Sequence, residues 1–257
     1  MSDPVVAVVV AAGLGLRYGG MRPKPQLRIV GRTVVAIAVE GLAAGGVTHA
    51  VVVVNGKNNL VYSALLAGAP IPVVTTPGGD SRQQSVQRGL DVVSADPELS
   101  KAKVILVHDA VRPLMPANVI ADVISHVQAG AVAVAPAVTV TDTIRQLSDD
   151  GSTVIDRSQL RAVQTPQGFR SDVLIECHAK IAAEGVEFTD DVTCCQRYGY
   201  PVELVPGSKM GLKITEPVDL TMARAIWKVR ASLGHHSGRR FTRYWRELPF
   251  VRRSIEK

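Results

Sequence analysis

A valine-rich run passes directly into a glycine-rich loop in residues 5–20, VVAVVVAAGLGLRYGG. The run over residues 5–10 is continuously apolar, which is typical of a strand that is buried on both faces of a parallel sheet. Glycines directly after such a strand let the backbone turn tightly and bring amide N–H groups close to an anion. The stretch therefore predicts an α/β sheet with a loop that can bind phosphate.

Further apolar runs alternate with helical patterns along the chain. The predicted strands are residues 5–10, 50–54, 104–107, 131–135 and 202–205. The predicted helices are residues 33–42, 83–93, 117–127 and 172–183, with Gly185 after the last of these, and a final helix that Thr215 caps and that ends near Gly234. This alternation predicts a single doubly wound, mostly parallel sheet whose site lies at the carboxyl ends of the strands.

Residues 138–165 break the alternation. Threonines and other β-branched residues flank the turn sequence Asp149-Asp150-Gly151, which predicts two strands joined by a turn with no helix between them. A polar hairpin that projects from an α/β core is only marginally stable by itself. We therefore expect a projecting arm at about 138–165, which a partner subunit could support.

The positive charge of the chain is concentrated near its C-terminus. The chain of 257 residues has a formal net charge of +6, yet residues 228–257 alone carry nine basic and two acidic side chains. We therefore expect a near-neutral main domain over residues 1–234 and a basic, aromatic extension over residues 235–257. This distribution argues against nucleic acid as the partner of the main domain.

Composition also bears on the setting of the protein. The apolar run 5–12 is too short to span a bilayer, so no membrane insertion is expected. The three cysteines, Cys177, Cys194 and Cys195, cannot form a disulfide framework and lack zinc-ligand spacing. These features predict a cytoplasmic protein.

Two cations lie in or just after the glycine-rich loop. Tyr18 stands where a dinucleotide-binding fingerprint needs glycine, and the Gly-Lys-Ser/Thr of a P-loop is absent. Arg17 lies inside the loop, and Lys24 follows between two prolines that restrict its backbone. Fixed cations in such a loop suit a polyphosphate transition state.

These residues resemble a known family. The motif Ala11-Ala12-Gly13-x-Gly15-x-Arg17 with Pro23-Lys24 is similar to the signature of nucleotidyltransferases. Seven further segments follow in order: residues 78–85 (GGDSRQQS), 107–113 (VHDAVRP), 142–143 (DT), 156–157 (DR), 164–167 (QTPQ), 189–190 (TD) and 213–215 (KIT). Together they resemble the 2-C-methyl-D-erythritol 4-phosphate cytidylyltransferase family, whose fold is a Rossmann-like nucleotide-diphospho-sugar transferase type with a β-hairpin arm for dimerisation.

The resemblance implies a reaction and a set of site residues. CTP is the co-substrate, and the acceptor phosphate attacks its α-phosphorus in line. The catalytic residues implied are Arg17, Lys24, Arg157 and Lys213. The nucleotide-binding residues implied are Ala11, Ala12, Gly13, Gly15, Gly79, Asp80, Ser85, Asp109 and Ala110.

The resemblance also implies which residues bind the acceptor, which metal takes part and what the protein assembles with. The residues implied to bind methylerythritol phosphate are Asp109, Arg112, Thr143, Arg157, Thr165, Thr189 and Lys213. Mg²⁺ would be held mainly by phosphate oxygens, with Asp109 as its protein ligand. The arm would cross to a second subunit and form a homodimer. His108 is expected to be structural, and Thr189 also fits the N-cap of a helix.

Two other functions stay open from the residues alone. A cytidylyltransferase for ribitol 5-phosphate would have similar motifs and would differ in the polyol pocket around Thr143, Thr165 and Thr189. A non-catalytic protein could instead bind nucleotide or RNA through the basic extension. Such a protein would bind RNA in a salt-sensitive manner and would release no pyrophosphate from CTP.

Overall fold

The computed structural model describes residues 3–13, 23–56 and 59–236, the last six by backbone alone. Its strands are β1 (Val5–Ala11), β2 (Arg28–Ile29), β3 (Arg32–Thr33), β4 (His49–Val54), β5 (Val73–Pro77), β6 (Val104–Asp109), β7 (Ala133–Thr139), β8 (Ile144–Ser148), β9 (Gly151–Ile155), β10 (Arg161–Val163), β11 (Gln167–Arg170) and β12 (Val202–Pro206). Its α-helices are α1 (Val34–Ala44), α2 (Asn59–Leu66), α3 (Arg82–Ala95), α4 (Ala117–Gln128), α5 (Ser171–Glu184), α6 (Asp191–Arg197) and α7 (Pro217–His236). No helix in these described ranges has the length and apolarity needed to cross a membrane.

The main sheet has the order β10-β7-β11-β6-β1-β4-β5, with β12 also paired to β7. β1 is parallel to β4 and β6, β4 is parallel to β5, and β12 is parallel to β7. β10 and β11 run antiparallel to their neighbours. The prediction of one mostly parallel sheet is confirmed, and the added finding is that short antiparallel strands complete it.

Helices cover both faces of this sheet because side chains alternate along each strand. Val5, Ala7 and Val9 pack on one face with residues of α1 and α4, whereas Val6 and Val8 pack on the other face with residues of α3 and α5. The continuous valine run of β1 is therefore explained by burial on both sides. This is the doubly wound architecture that the sequence predicts.

The predicted strands and helices are present, with differences in some bounds, in several short elements that were not predicted and in one helix cap. The run predicted at 131–135 begins at Ala133 and continues to Thr139. The pattern did not indicate β2, β3, α2, β5, β10 or β11, which are short or only partly buried and carry weak periodicity. The predicted Thr215 cap is wrong: the carboxylate of Asp219 in the first turn of α7 accepts from the Thr215 hydroxyl and from two backbone N–H groups.

The segment 138–165 contains the hairpin that the sequence predicts. Among the strands of the described residues, β8 and β9 pair only with each other, in antiparallel register around residues 149–150. Most of their side chains are exposed, including Leu147 and Val154. The hairpin therefore extends from the sheet without a hydrophobic face of its own to bury.

Candidate active site

The predicted nucleotide loop begins where β1 ends at the carboxyl edge of the sheet. Ala11 is buried and pairs with Val54, and Ala12 and Gly13 follow it into the loop. Gly15 and Arg17, which the sequence places next in this loop, lie outside the described residues. The structure thus locates the base of the loop.

Lys24 lies in a short 3-10 turn, Lys24–Gln26, that is braced by the buried Pro25. Its charge is close enough to Asp219 to help lower the pKa of that carboxyl. Burial by itself would raise the Asp219 pKa, but hydrogen bonds from Thr215 and Glu216 also lower it. Since Asp219 holds residues 215 and 216, Lys24 is linked electrostatically to the segment that follows Lys213.

The loop of residues 78–81 is held by its own helix. Ser81 is the N-cap of α3 and accepts from the backbone N–H of Gln84 at 3.2 Å. The buried Ser85 hydroxyl accepts from the N–H of Gly79 at 3.2 Å and donates to the carbonyl of Ser81 at 2.9 Å. Ser85 therefore fixes the shape of this loop, while Asp80 stays exposed.

Glycine at position 78 is required by close packing. A Cβ there would lie 2.6 Å from Cβ of Ala12 and 2.7 Å from Oγ of Ser85. Because even a methyl group would clash, this loop can lie directly against the end of β1. The two predicted nucleotide-binding segments are thereby brought together.

Asp109 ends β6 and is the carboxylate at the centre of the site. Its side chain is 9% exposed, and Lys213 Nζ lies 2.8 Å from Oδ2. Arg82 Nε lies 3.4 Å from Oδ1, and Arg112 Nε lies 3.9 Å from Oδ2. Burial would raise the pKa of Asp109, but Lys213 and Arg82, with a smaller effect from Arg112, lower it to about 2. The carboxylate is therefore ionised throughout the neutral pH range.

Backbone contacts hold Asp109 and its neighbours in place. The N–H of Asp109 donates to Oγ1 of the buried Thr165 at 3.0 Å, and the N–H of Ala110 donates to the carbonyl of Val10 at 3.1 Å. Arg112 donates through Nη1 to the carbonyl of Gly211 at 2.9 Å. Of the predicted acceptor-binding residues, the structure thus brings together Asp109, Arg112, Thr165 and Lys213.

His108 is the buried residue before Asp109 on β6, and its contacts fit the structural role that the sequence predicts. Its Nε2 lies 3.2 Å from the carbonyl of Arg112, and its Nδ1 lies 3.2 Å from Oγ1 of Thr165. The arrangement suits a neutral ring in which Nε2–H donates and Nδ1 accepts. Burial is the main cause that lowers the pKa of His108 to about 4, against the opposing charge of Asp109.

Three predicted site residues are exposed and are not bonded to the Asp109 group within the described ranges of this chain. Arg157 is exposed and donates to the carbonyl of Thr141, and Thr143 is exposed at the base of the hairpin. Thr189 is exposed beside α6. Its alternative interpretation as a helix cap is wrong, since the Asp190 carboxylate caps α6 by accepting from the N–H of Thr193 at 3.1 Å. In the described part of the chain, none of the three makes a hydrogen bond or an ion pair with Asp109 or Lys213.

Sequence reasoning missed the residues that anchor Asp109 from behind. Arg82 links Asp109 to the fully buried Asp191, whose other oxygen lies 3.1 Å from Nε2 of His178. Gln167 accepts from the N–H groups of Asp191 and Val192. Arg82 and Gln167 stand within the quoted motifs, but nothing in their spacing indicates that they meet Asp191.

A multi-carboxylate metal centre is not part of this arrangement. No group of three or more histidine, cysteine or acidic side chains in the described residues is placed to hold a metal ion. Asp109 offers a hard carboxylate oxygen, which is the ligand type that Mg²⁺ prefers when phosphates supply most of its coordination. The site therefore fits a phosphate-bound ion with one protein ligand.

A cavity of about 300 Å³ lies elsewhere, between α1 and α2. Its lining includes Arg32, Thr33, Glu40 and Leu66, and none of the predicted site residues contributes to it. The convergence of charges at the carboxyl edge of the sheet identifies the functional site better than cavity volume does.

Fold and site together define a class: an α/β nucleotidyltransferase, with a glycine loop and converging cations at the carboxyl edge of its sheet. The chain matches the model of the family described as IspD, 2-C-methyl-D-erythritol 4-phosphate cytidylyltransferase, over residues 5–229. The chain belongs to this family.

Individual relatives agree with the family match. A 2-C-methyl-D-erythritol 4-phosphate cytidylyltransferase of Saccharopolyspora erythraea is 42% identical over 225 residues, which cover 86% of this chain and 98% of the relative. One of Prochlorococcus marinus is 39% identical over 230 residues, covering 88% and 99%. The crystal structure of the Thermus thermophilus protein of the same name matches with a TM-score of 0.68 and 31% identity, covering 86% of this chain and 98% of that chain.

Proposed function

We propose that this protein transfers a cytidylyl group from CTP to 2-C-methyl-D-erythritol 4-phosphate and releases pyrophosphate. The observation that carries the proposal is the Asp109 group, in which Lys213, Arg112 and Arg82 surround a carboxylate at the carboxyl edge of the sheet. Family membership supplies the nucleotide and the acceptor. The product is 4-diphosphocytidyl-2-C-methyl-D-erythritol, an intermediate of isoprenoid precursor synthesis.

In this reaction a phosphate oxygen of the acceptor attacks the α-phosphorus of CTP, and the bond to the pyrophosphate oxygen breaks. Negative charge accumulates around the reacting phosphorus, so catalysis depends on positioning and electrostatic stabilisation. We assign the triphosphate to Arg17 and Lys24, and the cytosine edge to Gly79, Asp80 and Ser85. Removal of one such cation costs about 3–4 kcal/mol of barrier.

Lys213 and Arg157 hold the attacking phosphate in this proposal. Lys213 is 43% exposed and paired with Asp109, so its ammonium group can reach an incoming phosphate by changing rotamers. Arg157 offers a planar fork that can bind phosphate through two parallel N–H groups. Arg112, Thr165 and Thr189 complete the acceptor side.

Mg²⁺ is the metal that we propose for this site. Asp109 would be its protein ligand and the phosphates of CTP would supply most of the rest. When bound, the ion neutralises phosphate charge. The departure of Lys213 toward the acceptor would leave Oδ2 of Asp109 available for this role.

We further propose a homodimer in which the hairpin of one subunit completes the site of the other. Support comes from the exposed apolar side chains of the hairpin, Leu147 at 81% and Val154 at 60%, and from Arg157 and Thr143, which are exposed and, among the residues described, make no hydrogen bond or ion pair with Asp109 or Lys213. The compartment proposed is the cytoplasm, in keeping with three cysteines that are buried as free thiols.

Pyrophosphate release tests the proposed function. The protein is incubated with CTP, Mg²⁺ and either methylerythritol phosphate or ribitol 5-phosphate. We expect release with methylerythritol phosphate to exceed release with ribitol 5-phosphate by a factor of at least about 100, because polar groups left unpaired by the wrong polyol are costly. Preference for ribitol 5-phosphate, or no release with either acceptor, would contradict the proposal.

A further inference from the structure

Arg82 lies between two buried carboxylates. Its Nε is 3.4 Å from Oδ1 of Asp109, and its Nη2 is 2.8 Å from Oδ2 of Asp191. The carboxylate side chains are only 9% and 1% exposed. Burial by itself would lower the pKa of Arg82, but the charges of Asp191 and Asp109 raise it, so the guanidinium stays ionised. The three groups form one charged unit inside the protein.

Asp191 is itself anchored from several directions. His178, whose side chain is fully buried, lies with Nε2 3.1 Å from Oδ1 of Asp191. The backbone N–H of Asp191 donates to Oε1 of Gln167 at 3.0 Å. Burial would raise the pKa of Asp191, but Arg82 and His178 lower it. Asp191 is therefore a fixed, ionised anchor for the guanidinium.

The two oxygens of Asp109 have different partners. Arg82 contacts Oδ1, while Lys213 and Arg112 approach Oδ2. The Lys213 side chain is 43% exposed, whereas Arg82 is tied at both ends. When Lys213 leaves Oδ2 for a substrate phosphate, Arg82 still holds Asp109 through Oδ1.

The position of Arg82 in the chain connects this unit to the nucleotide loop. Arg82 is the first residue of α3 and directly follows Ser81, the last residue of the loop 78–81. The next residue, Gln83, binds the segment before α6 through the carbonyl of Val186 and the N–H of Phe188. The first turn of α3 therefore joins the nucleotide loop, Asp109 and the segment that carries Thr189.

We propose that Arg82, anchored by Asp191 and His178, is a positioning residue that keeps the Asp109 carboxylate in its reactive orientation during cytidylyl transfer. This inference rests on the proposed function. Arginine suits the task because its planar fork can contact two carboxylates at once, which the single ammonium group of lysine cannot do in the same geometry.

Two variants test the role, each with one contact weakened. Arg82→Lys keeps the charge but loses the fork, and Asp191→Asn keeps the shape but removes the anchoring charge. Residues that hold a functional side chain in place typically affect activity by about 10–100-fold when they are mutated. We therefore expect kcat to fall by that factor in both variants. Because the proposed role of Arg82 is to hold Asp109 and not CTP, the KM for CTP should change by less than about threefold. CTP affinity measured by calorimetry without acceptor should change equally little.

Arg88→Lys is the matched control, an exposed arginine on the same helix, and its kcat should stay within about twofold of wild type. A kcat within twofold of wild type in both test variants, with only a lower melting temperature, would overturn the proposal. So would a rise in the KM for CTP with kcat unchanged, or failure of both variants to fold. An inactive wild-type protein would instead contradict the proposed function itself.

Discussion

At Asp109 and His108, neighbouring residues on β6, burial acts on the charge state in different ways. Burial disfavours the ionised carboxylate, but three cations within 4 Å reverse the effect and hold the pKa of Asp109 at about 2. His108 is also buried, and burial is the main cause that lowers its pKa to about 4, so its ring is neutral and its nitrogens meet a carbonyl and a hydroxyl. Asp109 thus supplies a negative charge to the site, whereas His108 bridges Arg112 and Thr165 through its two ring nitrogens.

The neutral state of His108 predicts acid sensitivity of the fold. Its pKa is lowered from 6.5 to about 4, so the unfolded chain takes up the proton first as pH falls. Its contribution to stability is complete above pH 6.5 and is lost between 6.5 and about 4. We expect the free energy of unfolding to fall by roughly 2 kcal/mol between pH 7.5 and pH 5 from this group.

Urea unfolding of the substrate-free protein at the two pH values measures the loss. His108→Gln is the control, since glutamine can donate to the Arg112 carbonyl and accept from Thr165 without titrating. The variant should lose less stability than wild type over the same interval. Parallel pH profiles of the two proteins would contradict the assignment.

At the scale of elements, α3 lies close against the sheet because a glycine stands at the contact. A Cβ on Gly89 would lie 2.5 Å from Cγ1 of Val8 and 3.0 Å from Cγ2 of Val53. These valines belong to β1 and β4, which are central strands. The glycine therefore sets how closely α3, with Ser81, Arg82 and Ser85 at its start, approaches the site.

Gly89→Ala should destabilise the protein even though alanine favours a helix. The clash with two buried valines requires α3 to shift, which costs about 1–3 kcal/mol, against roughly 1 kcal/mol gained from helix propensity. We also expect weaker CTP binding, because a shifted helix moves the loop 78–81. Chemical denaturation and calorimetry with CTP measure the two effects.

Gly68→Ala provides the comparison, since a Cβ there meets no atom within 4 Å. Its stability should stay within about 0.5 kcal/mol of wild type. If Gly89→Ala matched Gly68→Ala in both stability and CTP affinity, close packing of α3 would not position the loop.

At the scale of the whole molecule, the residues proposed for the site are divided between the sheet and the hairpin segment. Asp109, Arg112, Thr165 and Lys213 lie together, whereas Arg157 makes its hydrogen bond within the arm. A second subunit that receives the arm would complete each site from two chains. This arrangement can be tested without a structure of the dimer.

Mixing of inactive variants distinguishes shared sites from separate ones. Lys24→Ala and Arg157→Ala should each reduce pyrophosphate release strongly, the first by slowing chemistry and the second by impairing acceptor capture. When the two are co-expressed, half of the dimers are mixed and one site in each mixed dimer is intact. We expect recovery of about a quarter of wild-type activity per subunit. No recovery above the separate variants would show that Arg157 serves the site of its own chain.

The sequence determined the class of fold and the chemical types at the site. The alternation of valine runs with helical patterns predicts β1, β4, β6 and their covering helices, because burial on both faces and helical periodicity are local properties of the chain. The ordered motifs predict the family and include Asp109, Lys213 and Arg112. The motifs do not give the distances between these side chains, since spacing along the chain carries no information about contacts between distant segments.

Only the tertiary structure decided which charges meet. Arg82 and Asp191 are 109 positions apart, and His178 lies on another helix, so their pairing arises from the packing of α3, α5 and α6 on one face of the sheet. The contact between Thr165 and Asp109 also depends on the fold. Thr165 lies just before β11, and β11 pairs with β6, the strand that Asp109 ends. Contacts between distant segments depend on strand order and helix packing, which are properties of the folded chain as a whole.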